Sequence, residues 1–118
     1  MNITNIVKIS KHGDECLNVY PEIHDPSYQH IYREAAGVHW NDKEACFYMC
    51  VSKDWIKEWD LKKCYAHIIS IVNSIGIRMK QFPNTLFDSD IEHFKEEILV
   101  ADREVQKWID ENTKTKPN

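Results

Sequence analysis

The stretch from Ser89 to Asn112 constrains this chain more than any other, because it reads as one long amphipathic helix. Ser89, followed three residues on by Glu92, makes a capping box in which each residue's side chain can bond the other's backbone N–H. Asp88, Asp90 and Glu92 place negative charge at the positive end of the helix dipole. Ile91, Phe94, Ile98, Ala101, Val105 and Trp108 then recur in steps of three and four, which draws one apolar stripe. A rod of this length, about 35 Å at about 1.5 Å per residue, crosses a chain whose expected radius of gyration is about 13 Å. It must lie across a sheet or reach past it to another chain. Leu99 and Val100 fall off the stripe, Val100 almost opposite it. They are either scattered surface apolars or, with Trp108, the candidate interface of a homodimer.

A second helix is expected from Leu61 to Ile75, capped by Asp60 and closed by Gly76. Leu61, Cys64, Tyr65, Ile68, Ile71, Val72 and Ile75 share one third of its circumference. Lys62, Lys63, Ala66, His67, Ser70, Asn73 and Ser74 take the other side, with Ile69 between the two.

Strands belong to the N-terminal half. Ile3–Ser10 and Cys16–Tyr20, with Leu17 and Val19 on one side, suggest a hairpin around the turn at 11–14. Ala45–Val51 is apolar throughout and reads as an inner strand. The polar turn Asn41–Glu44 before it needs a strand on its other side, so Arg33–Trp40 is expected to be extended. Residues 27–36 also fit a helix, with Asp25 as cap, Pro26 in the first turn and Tyr28, Ile31 and Ala35 on one face. Ser52–Asp60 suggests a short helical turn carrying Trp55, Ile56 and Trp59, and Ile77–Phe82 a short further strand. The expected fold is therefore α+β: an antiparallel sheet of about four strands with two main C-terminal helices packed on one face. Residues 1–112 form one domain in this reading, and 113–118 a polar tail.

Charge and cysteine usage narrow the function classes. The net charge is −4 at pH 7, against binding to a phosphate backbone and compatible with a basic partner. No run of about 18 apolar residues offers a membrane span, and Met1-Asn2-Ile3-Thr4 has no secretory pattern. A cytoplasmic setting is expected, with Cys16, Cys46, Cys50 and Cys64 reduced.

The search for chemistry is mostly negative. Gly13, Gly37 and Gly76 are too far apart to build a phosphate loop or a dinucleotide turn. Cys46 and Cys50 share a strand face about 13 Å apart, too far for one metal, so no metal or cofactor is expected. His30, Arg33, Glu34 and His39 form the densest ionisable group. His30, Glu34 and His39 are the candidates for acid–base work, with histidine near its working pKa and a carboxylate to orient it. Trp40, Trp55 and Trp59, interleaved with Glu58 and Asp60, are the candidate binding residues for a cationic ligand. His67 and His93 read as solvated residues on polar helix faces.

These residues point first to a small acidic binding protein that acts through a surface, as a homodimer or on a basic protein or cationic small ligand. The alternatives are a small-molecule-binding domain with an aromatic-lined cavity between sheet and helices, and a small His/Glu acid–base enzyme. Short chains of this type fit a bacterial accessory protein.

Overall fold

The computed structural model describes residues 2–12, 16–34, 36–51 and 60–114. Among these residues, six strands and two α-helices follow one another as β1 (Asn2–His12), β2 (Cys16–Pro21), β3 (Val38–Asn41), β4 (Cys46–Cys50), α1 (Leu61–Ser74), β5 (Ile77–Lys80), β6 (Leu86–Phe87) and α2 (Lys95–Lys114). A 3₁₀ helix, Pro26–Glu34, lies between β2 and β3. The architecture is α+β, as expected.

The sheet is mixed, where a purely antiparallel one was expected. Its order is β3-β4-β2-β1-β5, with β6 also paired to β1. The first four strands pair antiparallel, whereas β5 and β6 run parallel to β1. The reason is the helical crossover. β4 already runs in the direction of β1, and a strand–helix–strand connection delivers the next strand parallel to the one it left. A register shift between Ile6 and Lys8 lets Ile6 and Ile9, three residues apart, both point inward.

The segment from 26 to 41 combines both sequence readings. Asp25 Oδ1 accepts from Ser27 N at 2.8 Å, and its carbonyl accepts from Tyr28 N. That cap starts the 3₁₀ helix, which buries Tyr28 and Ile31. Arg33 and Glu34 are helical, against the extended expectation, and the strand begins only at Val38. Gly37, at φ +81°, makes the break between them. The turn into β4 is closed by Asn41, whose Oδ1 accepts from Lys43 N and Glu44 N.

α1 forms as its periodicity predicts. Asp60 Oδ1 accepts from Lys63 N at 2.9 Å, and Gly76, at φ +93°, ends the helix. Ile69 is fully buried along with Ile68 and Val72, because α2 covers that flank while the sheet covers the other.

α2 starts later than expected, at Lys95, after a 3₁₀ turn at Glu92–Phe94. The Ser89–Glu92 box is not made among the described residues. Instead Ser89 N donates to Asp88 Oδ1, Asp88 N to Ile9 O, and Lys11 N to Asp90 Oδ1. These bonds tie residues 88–90 to β1 and keep them out of the helix. Ile91, Ile98, Ala101 and Val105 are buried as the stripe requires, but Ile109 takes the place of Trp108.

Two polar residues of α2 are buried within this face. Tyr65 OH donates to Asp102 Oδ1 at 2.7 Å, and Gln106 Nε2 donates to Met79 O at 2.7 Å and to Asp102 Oδ1 at 3.2 Å. Arg78 Nε donates to Gln106 Oε1, and the same guanidinium pairs with Asp110 at 2.8 Å. The network joins α1, α2 and β5. Burial, and then the adjacent Asp102 carboxylate, raise the Tyr65 pKa well above its ordinary value, so the hydroxyl stays protonated as a donor.

Candidate functional site

The structure places the sequence-predicted residues in separate environments. Glu34, at the end of the 3₁₀ helix, accepts from Ser74 Oγ at 3.2 Å. His30 lies exposed beside Tyr32 on the same helix. His39, on β3, stacks over Tyr48 of β4, ring centroids 5.3 Å apart. No hydrogen bond or ion pair joins His30, Glu34 and His39 among the described residues. An acid–base pair needs its members within hydrogen-bond reach of one proton; these three contact different partners.

Trp40 is half-buried, with Tyr28 at 5.1 Å, Phe47 at 4.9 Å and His24 at 6.1 Å around its ring. Its indole N–H donates to Asp42 at 3.4 Å. Trp55 and Trp59 lie outside the described residues. His67 is half-buried, its Nε2 2.8 Å from Ala36 O, where a solvated residue was expected.

Leu99, Val100 and Trp108 do not form one patch. Leu99 lines a depression with Gln81, Phe82, Pro83, Asp102 and Arg103. Val100 is half-buried. Trp108, 50% exposed, lines the opposite flank. There α1 and α2 enclose a groove of about 520 Å³ whose apolar floor is Ala66, Ala101 and Val105. Lys62 and Lys63 stand on its α1 rim and Glu104 on its α2 rim. Tyr65–Asp102 fixes the spacing of the two helices beneath it.

A second depression, of about 490 Å³, was not anticipated. It lies on the sheet face away from the helices and is lined by alternate residues of β2 (Cys16, Asn18, Tyr20) and β4 (Cys46, Tyr48, Cys50), with Asn41 and Glu44 at one end. Asn18 Nδ2 donates to Ser10 Oγ at 3.2 Å across the strands. Cys16 and Cys50 are joined in a disulfide, against the expectation of four thiols. The cause is strand order: β2 pairs with β4, which sets Cys16 directly opposite Cys50, Cα to Cα 4.0 Å. Cys46 and Cys64 are buried and stand outside this disulfide. Burial pushes each of their thiols up to about 11. The signal in the sequence was the alternation Cys-x-Asn-x-Tyr and Cys-x-Tyr-x-Cys, legible as one sheet face only once the two strands are known to be neighbours.

Among the described residues no group of three His, Cys, Asp or Glu side chains is placed to hold a metal. No helix among them is long and apolar enough to cross a membrane. No protein-family model matches the chain, and no curated protein matches it in sequence. One solved structure is similar, an integron cassette protein from the mobile metagenome of a sewage outfall. It is 23% identical over 87% of this chain and 98% of its own, with a TM-score of 0.39. At that level of agreement nothing about function passes from one chain to the other.

Proposed function

We propose that this protein acts by association, as a cytoplasmic binding protein whose α1/α2 face is its interface and whose first partner is a second copy of itself. One observation carries the reading: Trp108 stands half exposed along a groove of about 520 Å³ between α1 and α2, with Ala66, Ala101 and Val105 in its lining. Tryptophans set in such grooves are the residue type that most often dominates an interface. The rim charges favour a copy of the same chain. A twofold axis across the face brings the Lys62 edge of one α1 against the Glu104 edge of the other α2, and the reverse.

The face is also large enough. α2 has 20 residues, about 30 Å of rod, and two helices about 10 Å apart make a face about 20 Å wide. Roughly 600 Å² per copy results, at the lower end of specific interfaces. Sedimentation at micromolar concentration tests this. A dimer is expected for the natural chain, weakened about 30-fold or more by Trp108→Ser, the effect of losing an interface anchor, with an unchanged circular dichroism spectrum. A chain that stays monomeric throughout refutes self-association.

A further inference from the structure

We propose that the cleft on the outer sheet face is a thiol–disulfide exchange site, in which the Cys16–Cys50 pair is opened and re-formed by a small peptide-like thiol. This goes beyond the proposed association, which uses the helical face. Three observations carry it. The disulfide forms part of the wall of a cavity of about 490 Å³, within the size range of small-molecule sites. Cys50 is exposed and Cys16 half-buried, so an attacking sulfur can reach the bond. The strands it joins are held without it, since the β2–β4 ladder continues through Leu17–Met49, Asn18–Tyr48 and Val19–Phe47, and β2 pairs with β1 on its other side. Opening the bond therefore alters the cleft wall and leaves the sheet intact. Exposed disulfides are the labile, regulatory ones, and in a reducing compartment a disulfide is usually transient or redox-sensing.

The cleft supplies recognition as well as access. Asn18 presents an amide and Glu44 a carboxylate, complementary to the amide and ammonium groups of a peptide thiol. The exchange runs in two steps. The incoming thiolate attacks Cys50 Sγ; the Sγ–Sγ bond breaks, a mixed disulfide forms on Cys50, and the Cys16 thiolate leaves and takes a proton from water. A second thiolate attacks the ligand's sulfur, releasing the small disulfide and the Cys50 thiolate, which is protonated in turn. Two small thiols are oxidised and one protein disulfide is reduced to two thiols; the small disulfide drives the reverse. Cys46 shares the cleft but is buried, and its thiol stays protonated, so it takes no part.

The test is the full chain equilibrated in glutathione buffers of graded redox ratio, quenched with a thiol-alkylating reagent and mapped by mass spectrometry. Cys16 and Cys50 are expected to become labelled together and reversibly, with the circular dichroism spectrum retained and with Cys46 and Cys64 unlabelled until unfolding. Asn18→Leu and Glu44→Gln should each slow opening by glutathione about five-fold, the effect of one lost hydrogen bond, while opening by dithiothreitol, which lacks amide and ammonium groups, stays unchanged. Cys16→Ser should accumulate one glutathionyl adduct on Cys50. The proposal is overturned by a pair that resists reduction until the chain unfolds, by four cysteines that label alike, or by substitutions that slow both reductants equally or neither.

Discussion

Tyr65→Phe isolates a buried bond that ties the two long helices together. The substitution keeps the ring and its packing and removes only the hydroxyl, which donates to Asp102 Oδ1 at 2.7 Å in a buried setting. A hydrogen bond to a charged group contributes about 1.5–3 kcal/mol. Asp102 keeps Gln106 Nε2 at 3.2 Å as a donor, so its carboxylate is weakened but not stranded. The expected loss is therefore about 2 kcal/mol, or about 8 °C in Tm at roughly 4 °C per kcal/mol for a chain of this size.

Urea unfolding followed by circular dichroism, at one fixed protein concentration because association would add to stability, gives the number. Asp102→Asn, alone and combined with Tyr65→Phe, completes a double-mutant cycle. A coupling of about 1 kcal/mol or more is expected between residues in direct contact. If Tyr65→Phe lies within about 0.5 kcal/mol of the natural chain, the range of an ordinary surface substitution, the bond does not hold α1 to α2 and the account of the helix pair is wrong.

Two further tests address other parts of the fold. Asp60→Ala removes the side-chain acceptor of Lys63 N at the start of α1 and should cost about 1 kcal/mol, while Asp60→Asn, which keeps an acceptor, should cost less; equal stability of all three chains would remove Asp60 as the cap. Alkaline pH should destabilise the protein, because the folded state holds Cys46 and Cys64 at about 11 against 9.0 for a free thiol, and Tyr65 higher still than its ordinary 10.0. The sign follows from linkage: stability is fully present below about pH 9, where both states are protonated, and falls as the unfolded chain loses protons the folded one retains. Urea melts across this range should show a shallower fall for Cys46→Ala/Cys64→Ala, and identical slopes would refute the assignment.

What was legible in the sequence is what depends on near neighbours. α1 needs only the i, i+3, i+4 rule, a capping aspartate and a terminal glycine, and its bounds follow from these. β2 and β4 are legible from composition and alternation. The pairing between them is not, because the 3₁₀ helix and β3 intervene in the chain, and so the disulfide and the cleft it lines were invisible. The start of α2 was misread for a related reason. Residues 88–90 carry a sound local capping signal, but bonds to β1 nearly eighty positions earlier in the chain override it. The exchange of Trp108 for Ile109 has a geometric cause. Within α2, Trp108 lies about 80° round the helix from Ile98 at about 100° per residue, whereas Ile109 lies about 20° from it, so Ile109 and not Trp108 faces the core.

The same helix carries two inversions of ordinary burial, and they belong together. Asp102 and Gln106 lie inside while Trp108 lies partly outside. A carboxylate and an amide are costly to bury unless every partner is in place. Tyr65, Met79 and Arg78 supply those partners in only one position of α2. A slide of one turn along β5 would strand them all, whereas an all-apolar stripe would tolerate the slide. The polar network therefore sets where along α1 the Trp108 ring and the Lys62 and Glu104 rims stand. A surface that works by association needs such a fixed register more than it needs extra stability. The Tyr65 and Trp108 substitutions should therefore differ in kind: the first loosens the register and weakens folding and association together, the second weakens association alone.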